Sequence, residues 1–267
     1  MESSLKSLAK KIRLHVLDMT YRAKSSHIGP CLSIVEILVV LYTKILNINP
    51  KNVQDNKRDK FILSKAHGSA ALYSILAELG FFPIDYLKKF YVNDGILPGH
   101  LDKEAVPGIE FSLGALGHGL PVSVGMAIAN RHDNNPGKIF VLLGDGECNE
   151  GSVWEAVMLA SHLKLSNLTV IIDYNKIQNF GRTNEIINQE PIGQRWRSFG
   201  WEVYEIDGHN FDELITAFTK KQLLPKVIIA HTVKGKGISF MEDRLEWHYK
   251  SPNLEQYKLA IKEVENQ

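Results

Sequence analysis

The strand–helix–strand stretch that decides the fold covers residues 144–178 and reads GDGECNEGSVWEAVMLASHLKLSNLTVIIDYNKIQ. An apolar strand runs directly into Gly144–Gly146, a helix crosses over, and a second apolar strand ends just before Asn175. Parallel crossovers are almost always right-handed, and strands that follow one another in sequence are usually neighbours. We therefore expect Asp145 and Asn175 to emerge side by side at the carboxyl edge of the sheet, where open α/β sheets bind ligands.

Both of these side chains carry oxygen atoms suited to a hard divalent cation. The Asp145 carboxylate and the Asn175 amide oxygen, with a backbone carbonyl, suit Mg²⁺ or Ca²⁺. Such an ion keeps open positions for phosphate oxygens, while Gly144 and Gly146 let the backbone approach them and the next helix N-terminus adds positive charge. An Asp-Gly pair after a strand is more often a simple turn, but the spacing to Asn175 favours a binding site.

The composition excludes several classes of partner. The chain has 267 residues, 44% of them hydrophobic and 23% charged, and its formal net charge is +1. This charge balance predicts no binding to nucleic acid or to an anionic membrane. Cys31 and Cys148 belong to no metal or disulfide motif. The most apolar stretch, Ile34 to Leu46, is too short to span a bilayer, and the N-terminal segment has no apolar signal core. We expect a cytoplasmic protein.

The hydrophobic pattern predicts an α/β fold with an open, mostly parallel sheet and helices on both faces. No linker divides the chain, so residues 1–267 are expected to form one domain. Ser152 and Glu155 have capping-box spacing at the start of the crossover helix. Residues 92–113 read as a long functional or disordered loop. Expected helices cover 4–24, 33–46, 69–80, 119–131, 152–163, 192–199, 211–219 and a tail from about Asn253; expected strands are Phe61–Leu63, Ile139–Leu143, Leu168–Asp173, Trp201–Ile206 and Val227–Ala230.

Six ordered motifs narrow the family. They are SSHIG at 25–29, SKAHGS at 64–69, PGH at 98–100, LGHG at 116–119, GDGECNEGSVWEA at 144–156, and TVKGKG with WH within 232–248. Together they resemble transketolase over essentially the whole chain, and especially the separate N-terminal subunits of split enzymes. GDG followed by Asn175 resembles the thiamine diphosphate motif. The resemblance implies the thiamine diphosphate-binding fold.

The same resemblance assigns roles to individual residues. It implies metal ligation by Asp145, Asn175 and the backbone carbonyl of Ile177. It implies contact with the sugar hydroxyls through His27, His100 and His248, and histidines suit this proton-transfer role near neutral pH. The residues it places around the cofactor are His67, Leu116 through its main chain, His118, Gly144, Gly146, Asn175 and Glu150, the last as the acidic residue that contacts the partner.

Other conspicuous residues favour structural roles. Of the remaining histidines, His15, His132, His162 and His209 are expected to be surface, capping or packing residues. Trp154 and Val157 are expected in the core or an interface, and Cys148 in packing because a soft thiol is a poor magnesium ligand. Two interpretations of Lys234 and Lys236 stay open, a phosphate contact or a surface loop. Their Gly-Lys-Gly is not a P-loop.

Three departures from the family pattern concern the sugar side of the site. Ser26-His27-Ile28-Gly29 stands where Gly-His-Pro-Gly is usual, Ala66 where glycine is usual, and Tyr249 where glycine is common. These changes leave the predicted cofactor site intact. They favour a substrate other than the ordinary pentose and hexose phosphates, for example an unusual or nucleotide-linked sugar.

The resemblance implies transfer of a two-carbon ketol unit from a ketose phosphate donor to an aldose-type acceptor, with thiamine diphosphate as the electron sink. In the family a glutamate from a pyrimidine-binding module activates the cofactor, and this sequence ends soon after the WH segment. We therefore expect that a separate C-terminal subunit completes the enzyme, in an assembly with two copies of each chain. Two alternatives remain: a decarboxylating thiamine diphosphate enzyme, and a catalytically silent binding subunit.

Overall fold

The computed structural model describes residues 2–48, 50–51 and 53–267. Within them, five parallel strands form one sheet in the order β1-β2-β3-β5-β4. The strands are β1 Lys60–Leu63, β2 Ile139–Gly144, β3 Leu168–Tyr174, β4 Glu202–Asp207 and β5 Lys226–His231. All four pairings are parallel, so every strand presents its carboxyl end at the same edge of the sheet.

The helices cover both faces of this sheet. Every residue of β2 and β3 is buried, and because side chains alternate between faces, neither face of these strands is open to solvent. The helix bounds are α1 Glu2–Ala23, α2 Ile28–Leu32, α3 Val35–Val40, α4 Ser69–Glu78, α5 Gly119–His132, α6 Gly151–His162, α7 Thr183–Ile186, α8 Ile192–Ser198, α9 Phe211–Thr219 and α10 Leu254–Glu265. α5 lies against β1, β2, β3 and α6, while α1 packs with α3, α4 and α10. The predicted fold class is confirmed.

Local details of two helices differ from the predictions. The expected helix over 33–46 is α-helical only at Val35–Val40 and continues as a π-helix at Leu41–Ile45. The predicted capping box of Ser152 and Glu155 is wrong, because α6 begins at Gly151 and Ser152 Oγ donates instead to the Gly117 carbonyl at 2.9 Å. The Ser152 hydroxyl is therefore used in a tertiary contact with Gly117 and not in capping its own helix. A capping box does open α10.

The long segment 92–113 folds back as a packed loop. Isolated bridges join Phe90 to Leu97 and Leu101 to Leu113, and both leucines at 97 and 101 are buried. These apolar anchors place the backbone around His100 beside the sheet edge, where Ser69 Oγ donates to the Gly99 carbonyl at 2.6 Å. The loop therefore has a defined position.

A buried carboxylate, Asp173, joins several elements near the carboxyl edge of the sheet. It forms an ion pair with Lys65, which follows β1, and both side chains are almost fully buried. Asp173 Oδ2 also accepts from Ser33 Oγ at 2.7 Å, and Oδ1 accepts from Thr232 Oγ1. The Lys65 ammonium holds the pKa of Asp173 below its usual value against the opposing effect of burial. Because each carboxylate oxygen has donors, the charge is well compensated.

Replacing Asp173 by Ala is expected to lower the free energy of unfolding by about 3–5 kcal/mol, because Lys65 is then a buried charge without a partner. Urea denaturation at pH 7 measures the change. Asp85→Ala is the matched control, since Asp85 forms only an exposed pair with Lys88, and its effect should stay within about 0.5 kcal/mol. Equal stabilities of the two variants would contradict a structural role for the buried pair.

Candidate active site

A pocket of about 220 Å³ lies at the carboxyl edge of the sheet. The register pairs Gly144 of β2 with Asp173 of β3, so the chain leaves both strands at the same level. Most residues named by the motifs line it: His27, Lys65, His67, His100, Leu116, Gly144, Asp145, Gly146, Asn175, Ile177, Lys234 and His248. The structure thus brings widely separated segments of the sequence to one site.

The carboxylate of Asp145 is held in a fixed orientation. Its Oδ1 accepts from the Gly146 amide at 2.7 Å, and its Oδ2 accepts from the Lys176 amide at 2.6 Å and Thr183 Oγ1 at 3.1 Å. Burial, together with the nearby charge of Asp173, raises the pKa of Asp145 to about 6. A cation at this carboxylate would offset both effects.

Asn175 and Ile177 lie next to this carboxylate. Asn175 Nδ2 donates to Asp173 Oδ2 at 2.9 Å, and this bond orients its Oδ1, which accepts from the Ile177 amide at 3.1 Å. The Ile177 carbonyl accepts from the Lys234 ammonium at 3.0 Å. In the described residues no cluster of three or more His, Cys, Asp or Glu side chains is arranged for a metal. The metal site predicted from the sequence is not a cluster of this kind, because its other two ligands are the amide oxygen of Asn175 and the backbone carbonyl of Ile177.

Lys234 is a buried cation in the floor of the pocket. Its ammonium contacts the carbonyls of Ile177 and Gln178 and donates to His248 Nδ1 at 2.8 Å. Burial, reinforced by the neighbouring charge of Lys65, lowers the pKa of Lys234 to about 7. The surface-loop interpretation of Lys234 is therefore wrong. Lys236 is half-exposed and pairs with Glu242.

The pocket has features that fit a bound anion. A Cβ at Gly146 would lie 2.9 Å from Cγ of Gln178, so the Gln178 side chain would have to shift. Gln178 Nε2 is a buried donor with no hydrogen-bond partner among the described residues. An anionic oxygen in the pocket would satisfy this donor. Together with the ammonium of Lys234, these groups fit a diphosphate next to a cation held by oxygen ligands.

Four histidines from four separate segments form one cluster in the pocket. The ring centroid of His27 lies 5.3 Å from that of His67, 5.8 Å from that of His100 and 5.2 Å from that of His248. His27 adopts a left-handed conformation (φ 72°) just before α2, and its amide donates to the His248 carbonyl at 2.7 Å. Tertiary contacts therefore support this uncommon backbone geometry.

Three of the clustered imidazoles are neutral at pH 7. Burial and the positive charge of neighbours, His100 foremost, lower the pKa of His27 to about 4. Burial and Lys234 lower the pKa of His248 to about 3. Burial and Lys65 hold the pKa of His67 well below its usual value. Each neutral ring has one hydrogen-bond donor and one acceptor, so it can bind a hydroxyl group and accept its proton.

A larger groove of about 1030 Å³ lies elsewhere, beside α1 and α10. Its buried charges are already paired: Arg13 Nη2 lies 2.6 Å from Glu36 Oε1, and His209 Nδ1 lies 2.9 Å from Glu36 Oε2. His209 Nε2 also accepts from the Val233 amide. We therefore place the candidate site in the smaller pocket, and these contacts support the structural role predicted for His209.

Comparison with known proteins agrees with this geometry. Residues 4–259 match the family described as transketolase, thiamine diphosphate binding domain. The chain belongs to the transketolase family. It is 43% identical to one subunit of the apulose-4-phosphate transketolase of Actinobacillus succinogenes, over 98% of this chain and 96% of that protein. It is 41% identical to a 6-deoxy-6-sulfo-D-fructose transketolase subunit of a Clostridium species, over 98% of this chain and 97% of that protein.

Full-length transketolases match this chain through part of their length. The crystal structure of the Campylobacter jejuni enzyme superimposes with a TM-score of 0.92 at 33% identity, covering 98% of this chain and 42% of that one. Human transketolase is 34% identical over 99% of this chain and 42% of its own length. The chain thus has the thiamine diphosphate-binding fold, and the transketolase-type transferase predicted from the motifs is confirmed.

Two of the predicted cofactor residues lie outside the pocket of this transketolase-family chain. His118 and Glu150 are both exposed, and His118 Nδ1 lies 3.1 Å from the Leu116 carbonyl. Glu150 is the residue that precedes α6. Their positions leave them available to a partner or a bound molecule rather than to the pocket floor.

Sequence reasoning missed two acidic residues that organise the site, Asp173 and Glu147. Asp173 stands inside the otherwise apolar strand LTVIIDY. A charge buried in a strand needs a compensating partner, so this pattern is a usable signal for the pair with Lys65. Glu147 follows the GDG motif, but its partners come from distant segments that no local pattern connects.

Among the described residues, no helix combines the length and the apolar character needed to cross a bilayer.

His248 is expected to make stability depend on pH. Its folded-state pKa of about 3 lies below the usual 6.5, so below pH 6.5 the unfolded chain binds more protons and stability falls as pH falls towards the folded-state value. His248→Gln should reduce the loss of unfolding free energy between pH 7 and pH 5 by about 1–2 kcal/mol. Urea denaturation at both pH values measures this, with the exposed His132→Gln as control. A pH dependence identical to that of the unmodified chain would contradict the burial of a neutral His248.

Proposed function

We propose that residues 1–267 form one thiamine diphosphate- and metal-binding domain that acts as the N-terminal subunit of a two-subunit transketolase. The enzyme transfers a two-carbon ketol unit from a ketose phosphate donor to an aldose-type acceptor. One observation carries the proposal: a single pocket combines paired oxygen ligands, Asp145 and Asn175 at adjoining strand ends, with a cluster of four histidines.

The metal and the cofactor have defined positions in this proposal. Asp145, Asn175 and the Ile177 carbonyl would hold Mg²⁺, or Ca²⁺, because these oxygen donors suit hard cations. Lys234 would then leave the Ile177 carbonyl for an anionic oxygen. When bound, thiamine diphosphate supplies the electron sink that carbon–carbon bond cleavage requires.

Residues around the diphosphate complete the cofactor site in this proposal. Gly144 and Gly146 leave room for the diphosphate, and Gln178 Nε2 donates to one of its oxygens. His67 and the main chain of Leu116, which line the pocket, would contact the rest of the cofactor. The exposed His118, two residues after Leu116, would add a further contact.

The histidines bind the sugar and move its protons. His27, His100 and His248 are the proposed catalytic residues, because they line the pocket next to the cofactor position. His248 Nδ1 accepts from Lys234, so the neutral ring carries its proton on Nε2, which is left to donate to a sugar oxygen. Ser26 Oγ lies 2.9 Å from His27 Nδ1 and orients that ring.

We propose that the substrate lies outside the common pentose and hexose phosphates. Two similar proteins are named for apulose 4-phosphate and for 6-deoxy-6-sulfo-D-fructose. Tyr249 supports this direction, since its ring centroid lies 4.8 Å from that of His248 and 5.7 Å from that of His27. Its hydroxyl accepts from Asn179 Nδ2 at 3.1 Å. An aromatic ring therefore occupies the sugar side, where the family commonly has glycine.

A second subunit is part of this proposal. The similar proteins of matching length are named as single subunits of a transketolase, which favours a separate partner, and we propose two copies of each chain in the assembly. Phe180 and Ile187, on the segment bordering the pocket, are large apolar side chains exposed to solvent. Such exposure near a site favours a protein partner. Glu150 is proposed to contact this partner. We also propose that the enzyme is located in the cytoplasm.

The split-enzyme proposal is tested by reconstitution. The purified chain alone, with thiamine diphosphate, Mg²⁺, xylulose 5-phosphate and ribose 5-phosphate, should give no turnover, because cofactor activation needs the partner module. Adding the second subunit from the same genome should restore ketol transfer, measured over a panel that includes apulose 4-phosphate. Robust turnover by the isolated chain would refute the requirement for a partner, and carbon dioxide release from pyruvate would favour the decarboxylating alternative.

The metal proposal is tested by calorimetry on the reconstituted complex. Asp145→Ala should abolish Mg²⁺-dependent uptake of thiamine diphosphate, a loss of about a hundredfold or more in affinity, because a charged ligand is removed from the ion. Asp133→Ala, which changes an exposed aspartate at the end of α5, serves as the control and should bind normally. Unchanged uptake by Asp145→Ala would overturn the assigned metal site.

A further inference from the structure

A second buried carboxylate, Glu147, lies directly after the Gly144–Gly146 turn. It is almost fully buried, and within the described residues no cation forms an ion pair with it. Three donors compensate its charge instead. Oε1 accepts from the Gly117 amide at 2.9 Å and from the hydroxyl of Ser64, and Oε2 accepts from the Gly144 amide at 3.0 Å.

The directions of these hydrogen bonds show that both carboxyl oxygens of Glu147 act as acceptors. Ser64 Oγ accepts from the Gly119 amide at 3.1 Å, so its single proton is free to point at Glu147. Both amides are obligatory donors. Each carboxyl oxygen of Glu147 therefore accepts from one buried amide, Oε1 from Gly117 and Oε2 from Gly144.

The two amide donors belong to two glycine loops that line the same pocket. Gly144 opens the turn that carries Asp145, whereas Gly114 and Gly117 flank the loop that carries Leu116. Gly117 has φ +80°, and a Cβ there would lie 2.7 Å from Cβ of Glu150. The loop therefore lies against the start of α6 with no room for a side chain at Gly117. Glu147 is the one described side chain that accepts from both loops.

We propose that Glu147 is a positioning residue that clamps the two glycine loops together in the geometry that receives thiamine diphosphate. This inference rests on the proposed cofactor site and adds a residue to it. Glu147 would act through the two loops, by fixing the distance between them before the cofactor arrives.

The expected consequence of losing the clamp is weaker cofactor binding. Glu147→Gln keeps the shape of the side chain, but its NH₂ group must face an N–H or O–H donor. One buried amide then lacks an acceptor, and the cofactor has to order a loosened loop when it binds. We expect the dissociation constant for thiamine diphosphate to rise about tenfold to a hundredfold.

The matched control is Glu110→Gln. The Glu110 side chain is also largely buried and bonded, through a bidentate pair with Arg58, but it does not line the pocket. Calorimetry of the reconstituted complex with thiamine diphosphate and Mg²⁺ should show normal affinity for Glu110→Gln and reduced affinity for Glu147→Gln. At saturating cofactor the Glu147→Gln complex should recover most of its turnover, so the apparent KM for cofactor changes more than kcat.

Hydrogen exchange of the isolated chain gives an independent reading. Peptides covering residues 114–119 and 143–148 should exchange faster in Glu147→Gln and unchanged in Glu110→Gln. If Glu147→Gln does not fold, Ser64→Ala replaces it. That variant removes one donor and keeps both amide bonds, so its affinity loss should be smaller, about threefold to tenfold.

The outcomes separate this inference from the proposed function. If the unmodified complex fails to bind thiamine diphosphate, the proposed function is wrong. If it binds, and Glu147→Gln or its substitute Ser64→Ala binds equally well, the clamp is wrong and the cofactor site stands. Faster exchange without loss of affinity also overturns the clamp, since it would show that the two loops need no preset spacing.

Discussion

The structure depends most on the buried ion pair between Lys65 and Asp173. This pair connects the end of β1 to the end of β3, and through Ser33 and Thr232 it also holds the end of α2 and the segment after β5. A charge in a sheet core is tolerated only when its partners are complete. The need to complete them draws four segments to one point of the sheet edge, and Asn175 is oriented by the same carboxylate.

The electrostatics of the pocket follow from this arrangement. Positive charge from Lys65 and Lys234, together with burial, lowers the pKa of the nearby histidines and keeps them neutral, while burial beside Asp173 raises the pKa of Asp145. Among the described residues, the Lys234 ammonium therefore has carbonyl and imidazole contacts but no carboxylate partner, and the Asp145 carboxylate has amide and hydroxyl donors but no cation partner. In the proposed function, a diphosphate with a divalent ion would relieve both conditions at once.

This chain corresponds to one part of the full-length transketolases, the part that has the thiamine diphosphate-binding fold. The fold superimposes on about two fifths of the Campylobacter jejuni enzyme, while the two apulose-4-phosphate transketolase relatives of similar length are named as single subunits. In the proposed enzyme, the partner supplies the contacts that complete the cofactor site from the other side. The exposed position of Glu150 fits that division, because a side chain that contacts a partner does not need to be buried within its own domain.

The sequence by itself determined the alternation of strands and helices, the parallel sheet and the neighbouring strand ends that carry Asp145 and Asn175. Hydrophobic period and crossover handedness are local or nearly local properties, and the ordered motifs identified the family. Only the tertiary structure decided which distant side chains meet. Lys234 is buried and contacts Ile177 and His248. Ser152 donates to the Gly117 carbonyl and does not cap its own helix. Glu147 accepts hydrogen bonds from three donors, two of them distant in sequence. Most of these partners lie dozens of residues apart in the sequence. The packing of the whole sheet sets the distances between them, so the hydrophobic pattern of a single segment cannot predict these contacts.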